Sequence, residues 1–394
     1  MLMNPRSLFA RSGFFLFVLL TTAASLRAPL TAIGPVLEDI RATFNLSASA
    51  AGLLNFIPLM MFALLAPPAA WAGNRFGLEK TLWYAVWLIM LGSLLRVGSG
   101  VTGLWLGTLL LSAGIAAANV LLPPLIKRDF AGHTARYIGL YAGVMAVTAS
   151  LASGVAVPLA QATKTGWILS LGIWLLPAVV ALVAWLPLLK YSRGASNNKN
   201  AASRLRSPWR SALGWQVSLF MALQSMVFYT LIAWFTPWAE AQGFSQLSAG
   251  WLLFVYQIVA VVSNLSCMVA LKKLSDQRII GFLASLAIFI GLGGLYCFPA
   301  LAILWLITAG LGAGASMVIC LSLFGLRSGD HRQASQLSGM GQCVGYGLAA
   351  LGPLAFGMIH EHFNNWSTPL LVLIAMSLLQ VFIAPLAGRN RTIG

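Results

Sequence analysis

Apolar residues in this chain come in long unbroken runs, and short polar, basic segments separate them. A helix needs about 20 apolar residues to cross the hydrocarbon core of a bilayer. Twelve runs reach that length, near residues 13–36, 49–71, 81–99, 103–126, 137–160, 166–188, 212–238, 248–271, 279–297, 300–325, 334–358 and 367–387. Membrane β-barrels need short strands of alternating polarity, which continuous runs exclude. The pattern predicts an all-α integral membrane protein with twelve transmembrane helices.

Basic residues then sort the loops. Twenty of the 24 Lys and Arg fall before the first run, after each even-numbered run, or at the end of the chain. Arg41, Arg96 and Lys164 are the only ones expected on the other side, and Arg27 lies inside the first run. Basic loops stay in the cytoplasm, so both termini are expected there. Residues 189–211 (LKYSRGASNNKNAASRLRSPWRS) form the one long polar loop. They divide the chain into a six-span half at 1–188, a cytoplasmic basic linker at 189–211, and a second six-span half at 212–394. The halves echo each other. The fourth and tenth spans each open on a run of small residues and close on a basic turn, and the fifth and eleventh are rich in Gly, Ala and Ser. Small residues let helix backbones approach closely.

Composition narrows the function. Only 8% of residues are charged and 59% are hydrophobic, against about 25% charged in soluble domains. A soluble or disordered protein is excluded. The basic loops account for the net charge of +16, so no nucleic-acid partner is implied. The four cysteines sit in apolar stretches without metal-ligand spacing and read as packing residues. His133, His331, His360 and His362 are placed in loops. No phosphate-binding Gly-rich loop precedes a Lys-Ser/Thr pair, which argues against an ATP-driven pump. No acid–base cluster suggests an enzyme, and no metal or cofactor is expected.

Six spans, a cytoplasmic linker and six more is the layout of the major facilitator superfamily. The stretch AAWAGNRFGLEKTL resembles that superfamily's loop between the second and third helices. Arg75 and Gly77 match, while Ala70, Asn74 and Leu78-Glu79 depart. Arg75, Gly77 and Arg128 are therefore gating candidates, with a weakened charge latch between helix ends. LRAPLTAIGPVLEDIR, NVLLPPLIKRDF, GWQVSLFMALQSMVFYTLIAWFTPW and QLSGMGQCVGYGLAALGPLAFGMIH resemble the cyanate/nitroimidazole transporter family, and its nitroimidazole branch more nearly. The resemblance implies two pseudo-symmetric six-helix halves in a bacterial inner membrane. It also implies a monomer that moves a small anionic or polar solute by alternating access. In the superfamily, helices 1, 4, 7 and 10 line the cavity and 2, 5, 8 and 11 form the interface.

Arg27 carries the most chemistry. A cation at mid-bilayer costs roughly 2.5–3.5 kcal/mol on insertion scales and persists where it faces a cavity or a partner. No acid falls inside an expected span to pair with it, so its planar donors suit an anionic substrate. The competing reading is structural, with helix-end carbonyls satisfying it. Asn119, Gln224, Gln257 and Gln342 lie near mid-span, where an amide needs a helix, water or ligand partner. Tyr229, Trp234 and Tyr346 are aromatic candidates for the substrate pocket, with Tyr141 and Tyr256 behind them. Asn55, Asn264, Phe56 and Phe228 are read as packing or lipid-facing. Pro29, two residues past Arg27, is expected to loosen the first helix. With no intramembrane acid, transport is facilitated, exchanges an anion, moves a proton with a weakly acidic solute, or uses Glu38, Asp39 or Glu240 at helix ends. The alternative function is a multidrug or metabolite exporter of the same superfamily.

Overall fold

The computed structural model describes residues 5–129, 134–164, 166–189, 207–271, 276–329 and 331–393. Most of the expected linker, 190–206, lies outside the described residues, as does His133. The helices are α1 Pro5–Thr31, α2 Leu37–Phe44, α3 Ala48–Phe76, α4 Leu78–Gly98, α5 Gly100–Asp129, α6 Thr134–Ala162, α7 Trp167–Gly172 and α8 Leu175–Leu189. After the linker come α9 Ala212–Ala241, α10 Gln246–Leu271, α11 Arg278–Cys297, α12 Ala302–Leu326, α13 His331–Phe363 and α14 Ser367–Ala387. Twelve helical stretches are long and apolar enough to cross a membrane, and the described residues contain no strand. An even number of crossings puts both chain ends on one face, here called the terminal face. The opposite face is the far face.

Two spans are broken. The first continues past the expected residue 36 to Phe44, as α1, a tight turn at Gly34–Val36, and α2. α1 runs through Pro29 to Thr31, and the break comes at Gly34-Pro35, where Pro35 lacks the N–H that would bond to the Thr31 carbonyl. The amide of Ile33 bonds to Leu30 rather than to Pro29. The Pro29 carbonyl is taken instead by Arg96 Nη1 at 2.9 Å. The sixth span divides into α7 and α8 around Ile173-Trp174.

Glycines set the closest helix approaches, in matching places. On α5, a Cβ on Gly114 would meet the Ala85 carbonyl and Ile89 of α4. On α12, a Cβ on Gly312 would meet the Ala284 carbonyl and Ile288 of α11. The third and fourth spans thus pack as the ninth and tenth do. Across the chain's midpoint, α3 packs on α13 and α6 on α10. Gly52 faces the Pro353 carbonyl at 2.9 Å from where its Cβ would sit, and Gly154 faces Phe254 at 3.3 Å. The small-residue spans are the ones that meet.

Two expectations need correction, and Arg96 proves buried within the span expected at 81–99. It lies in the last turn of α4, 1% exposed, with Nε and Nη2 unpartnered among the described residues. The first span holds two arginine-linked features rather than one, because Arg96 reaches into it from α4. His360 and His362 lie in the last turn of α13, not in a loop, and His331 begins that helix. The His360 ring stacks on Trp366 with centroids 3.8 Å apart. Cys297 ends α11 and is exposed, while Cys267 and Cys320 are buried, and all four cysteines are free thiols.

Candidate substrate cavity

Arg27 lies one turn before the end of α1. Its guanidinium sits over the Tyr229 ring of α9, 5.7 Å from the centroid. Among the described residues, no carboxylate pairs with it and no hydrogen bond holds its side chain. The charge is exposed to an internal cavity of about 220 Å³ bounded by α1, α6, α9, α10 and α12. One water needs about 10–15 Å³ on this measure, so the cavity has room for a small solute of many atoms. The walls are mainly apolar, including Met145, Phe228, Val261 and Met317. The lining runs on to Met268 and Leu321, near the terminal-face ends of α10 and α12.

Of the residues singled out from sequence, Arg27, Gln224, Tyr229 and Gln257 come together around this cavity. Their amides are differently committed. Gln224 Oε1 accepts from Ser225 at 3.1 Å, which leaves its NH2 for a ligand. Gln257 Nε2 donates to Ser153 at 2.5 Å and to the Leu253 carbonyl at 3.5 Å, which leaves its oxygen as an acceptor. The cavity therefore offers donors at Arg27 and Gln224 and an acceptor at Gln257.

The other candidates stand elsewhere. Asn119 accepts from Tyr141 at 3.1 Å, joining α5 to α6. Gln342 bonds within α13 to Ser338 at 3.1 Å. Tyr346 lies behind Tyr229, their centroids 6.4 Å apart, and packs on Phe62. Trp234 is buried away from the cavity; its Nε1 donates to the Pro353 carbonyl at 2.8 Å, and its ring stacks on Phe356. Sequence reasoning missed Thr31, Ser150, Ser225, Phe228 and Asn264, all of which line the cavity. Two had a signal. Thr31 is four residues after Arg27 and Asn264 is seven after Gln257, both on the same helix face as their neighbour. Asn55 was also set aside, yet it joins Arg27 and Tyr229 around a side crevice of about 20 Å³.

The far-face mouth is tied between the two halves, whereas the terminal-face pairs each lie within one half. On the far face, Gln246 of α10 donates to the Pro35 carbonyl and to Asp39 at 3.2 and 3.1 Å. Glu361 of α13 accepts the Ser49 amide at the start of α3, at 3.0 Å, where a carboxylate complements the helix dipole. Gly34 sits against the Ile232 carbonyl of α9, with no room for a Cβ. Glu240 holds one carboxylate oxygen buried without a hydrogen-bond partner among the described residues, beside Glu38 and Asp39. On the terminal face, Arg128 pairs with Glu79 at 2.5 Å and with Asp129 at 2.7 Å. Its hydrogen bonds to Asp129 and Glu79 hold the guanidinium above its ordinary range. Glu79 stands where the superfamily loop carries a basic residue, and its ion pair with Arg128 ties the start of α4 to the end of α5. In the same position of the later spans, Arg327 at the end of α12 bonds to Gln277 before α11 and to the Gly388 carbonyl. Arg75 is exposed and covers the rings of Trp71 and Phe76. Gly77 adopts φ 95° at the turn into α4, a conformation that favours glycine.

A profile of the Major Facilitator Superfamily matches residues 13–350. The chain belongs to that superfamily. It is 39% identical to the 2-nitroimidazole transporter of Escherichia coli (strain K12), over 95% of each chain. It is 37% identical to the uncharacterized transporter YycB of Bacillus subtilis (strain 168), over 99% of this chain and 97% of that one. Identity to the cyanate transport protein CynX of Escherichia coli (strain K12) is 27%, over 94% of this chain and 97% of that one. The crystal structure of the D-xylose-proton symporter superposes with a TM-score of 0.78 at 15% identity, covering 96% of this chain and 99% of that one. The likeness to solved structures establishes the facilitator fold. The protein is a multi-pass membrane transporter of the cyanate/nitroimidazole family, not an enzyme.

Proposed function

We propose that this facilitator is a secondary active or facilitative transporter of a small anionic or polar solute, cyanate- or nitroimidazole-like, with Arg27 as the anion site. The observation that carries this reading is an unpaired guanidinium facing a largely apolar, interfacial cavity. Such a charge is costly in hydrocarbon, and a substrate acceptor group would offset that cost. Phe228 and Tyr229 supply flat apolar surface for a small ring, and Gln224 and Gln257 orient its polar edge.

Residues 1–188 and 212–394 act as two halves that rock about the cavity, joined by the linker at 189–211. Far-face contacts between the halves, together with a cavity that extends towards the terminal face, fit a conformer that accepts solute from the terminal side. The excess of basic residues on that side supports a cytoplasmic placement in a bacterial inner membrane. The protein acts as a monomer. Either a proton or an exchanged anion accompanies the solute. A cation-exporting multidrug role would call for a carboxylate on the wall, and the described lining residues include none.

The test is uptake into proteoliposomes of labelled cyanate, small carboxylates and 2-nitroimidazole, for wild type, Arg27→Gln and Arg27→Lys. The expected result is anion uptake by wild type, none by the glutamine variant, and partial uptake by lysine, whose point charge lacks the planar fork. Equal uptake by wild type and Arg27→Gln would overturn the assignment.

A further inference from the structure

Arg27 is the only charged residue among the described residues that line the main cavity. The chain has eight acids, and each falls in a loop or near the end of a span. Most are engaged where they stand. Glu38 pairs with Arg41, Glu79 and Asp129 with Arg128, and Asp276 with Arg278. Asp39 accepts from Gln246, and Glu361 from the Ser49 amide. Glu240 sits beside Glu38 and Asp39, eleven residues past Tyr229 on α9 and so about 16 Å along the helix axis. Asp330 lies outside the described residues. The described carboxylates are thus held at the two faces, away from the guanidinium at mid-depth.

The guanidinium cannot discharge itself either. Arginine keeps its proton across the physiological range, where a lysine or histidine can lose one. The Tyr229 ring beneath it carries no formal charge and belongs to the other half. Alternating access passes through a conformer with both mouths shut. Open to the terminal side, the guanidinium is hydrated from that side. With both mouths shut it keeps only what the cavity encloses. On insertion scales an uncompensated cation at that depth is disfavoured roughly 60- to 300-fold. One monoanion in the cavity cancels the charge through charge-assisted hydrogen bonds. A dianion would leave a net negative charge between the same apolar walls.

We infer that the protein is an obligatory exchanger of small monoanions. The site changes sides loaded in both directions, and the empty carrier does not return at a useful rate. This rests on the reading of Arg27 as the substrate's anion site. Exchange of one monoanion for another moves no net charge, so its rate is independent of membrane voltage.

The experiment is efflux of labelled benzoate, and separately of labelled cyanate, from proteoliposomes, with the leak of protein-free liposomes subtracted. The outer buffer holds either the same anion unlabelled or sulfate as its only anion. Wild type is expected to release label at least about tenfold faster into the matching monoanion than into sulfate, and a potassium diffusion potential of either sign should leave that rate unchanged. Arg27→Lys is expected to release label into sulfate as well, increasingly from pH 7 to pH 9, because a buried amine can shed its proton. Equal release into both buffers by wild type would overturn the inference, as would an exchange rate that follows the voltage. If Arg27→Gln exchanges as fast as wild type, the Arg27 reading itself fails. If Arg27→Gln loses transport while wild type releases label equally into both buffers, only obligatory exchange falls.

Discussion

Adding a single methyl group at Gly52 tests the far-face gate. A Cβ at that position would lie 2.9 Å from the Pro353 carbonyl oxygen and 3.0 Å from Leu354 Cα. Ordinary contact begins near 3.4 Å, so α3 and α13 must part by about 0.5 Å to accept alanine. The clashing atoms are backbone and cannot swing aside. Overpacking of this kind costs about 1–3 kcal/mol. If the halves rock apart on the far face, the whole cost falls on the closed conformer. At 1.4 kcal/mol per tenfold, the equilibrium shifts about 5- to 150-fold towards the far-face-open form. The assay is labelling of Thr236→Cys, a 1% exposed position on the far-face part of α9, by a membrane-impermeant maleimide. The background lacks Cys267, Cys297, Cys320 and Cys343. Gly52→Ala should raise the labelling rate at least fivefold. Gly357→Ala, whose Cβ would lie 2.6 Å from the Ala48 carbonyl, should do the same. An unchanged rate in both folded variants would refute the reasoning, since the tight contact would then not belong to a moving gate.

Three further outcomes follow from the buried charges. Glu79→Gln leaves Arg128 paired only with Asp129; with side-chain exposures of 6% for Glu79 and 30% for Arg128, the loss lies between a surface and a buried pair, about 1–3 kcal/mol. A thermal midpoint lower by several degrees on purified protein checks it, and an unchanged one refutes that contribution. Arg96→Leu removes a guanidinium with two orphaned nitrogens and should hold or raise the melting temperature, because an apolar replacement of a buried charge is often neutral or better. The same variant should lower transport, as the Pro29 carbonyl loses its donor beside Arg27; unchanged uptake would show that the α1 break stands without it. Glu240→Gln removes a carboxylate facing Glu38 and Asp39 across the far-face contact, so it should slow Thr236→Cys labelling by favouring closure, and faster labelling would contradict that.

The sequence by itself determined the class and the count of spans, because length and apolarity are local and the bilayer sets one threshold for both. It also singled out Arg27, since a charge inside a hydrocarbon run is visible wherever the helix packs. Gln224, Tyr229 and Gln257 were legible for a similar reason: polar groups at mid-depth have few places to point. The tertiary structure decided which amides meet. Asn119 and Gln342 have the same sequence signal as Gln224, yet a tyrosine on one neighbour and a serine one turn away absorb them. Trp234 resembled a pocket aromatic, but the position of Pro353 on α13 draws its N–H into the far-face packing. Asn55 and Arg96 were hidden for the converse reason. Arg96 reaches the Pro29 carbonyl from α4 and Asn55 shares a crevice with Arg27, proximities that spacing along the chain does not encode.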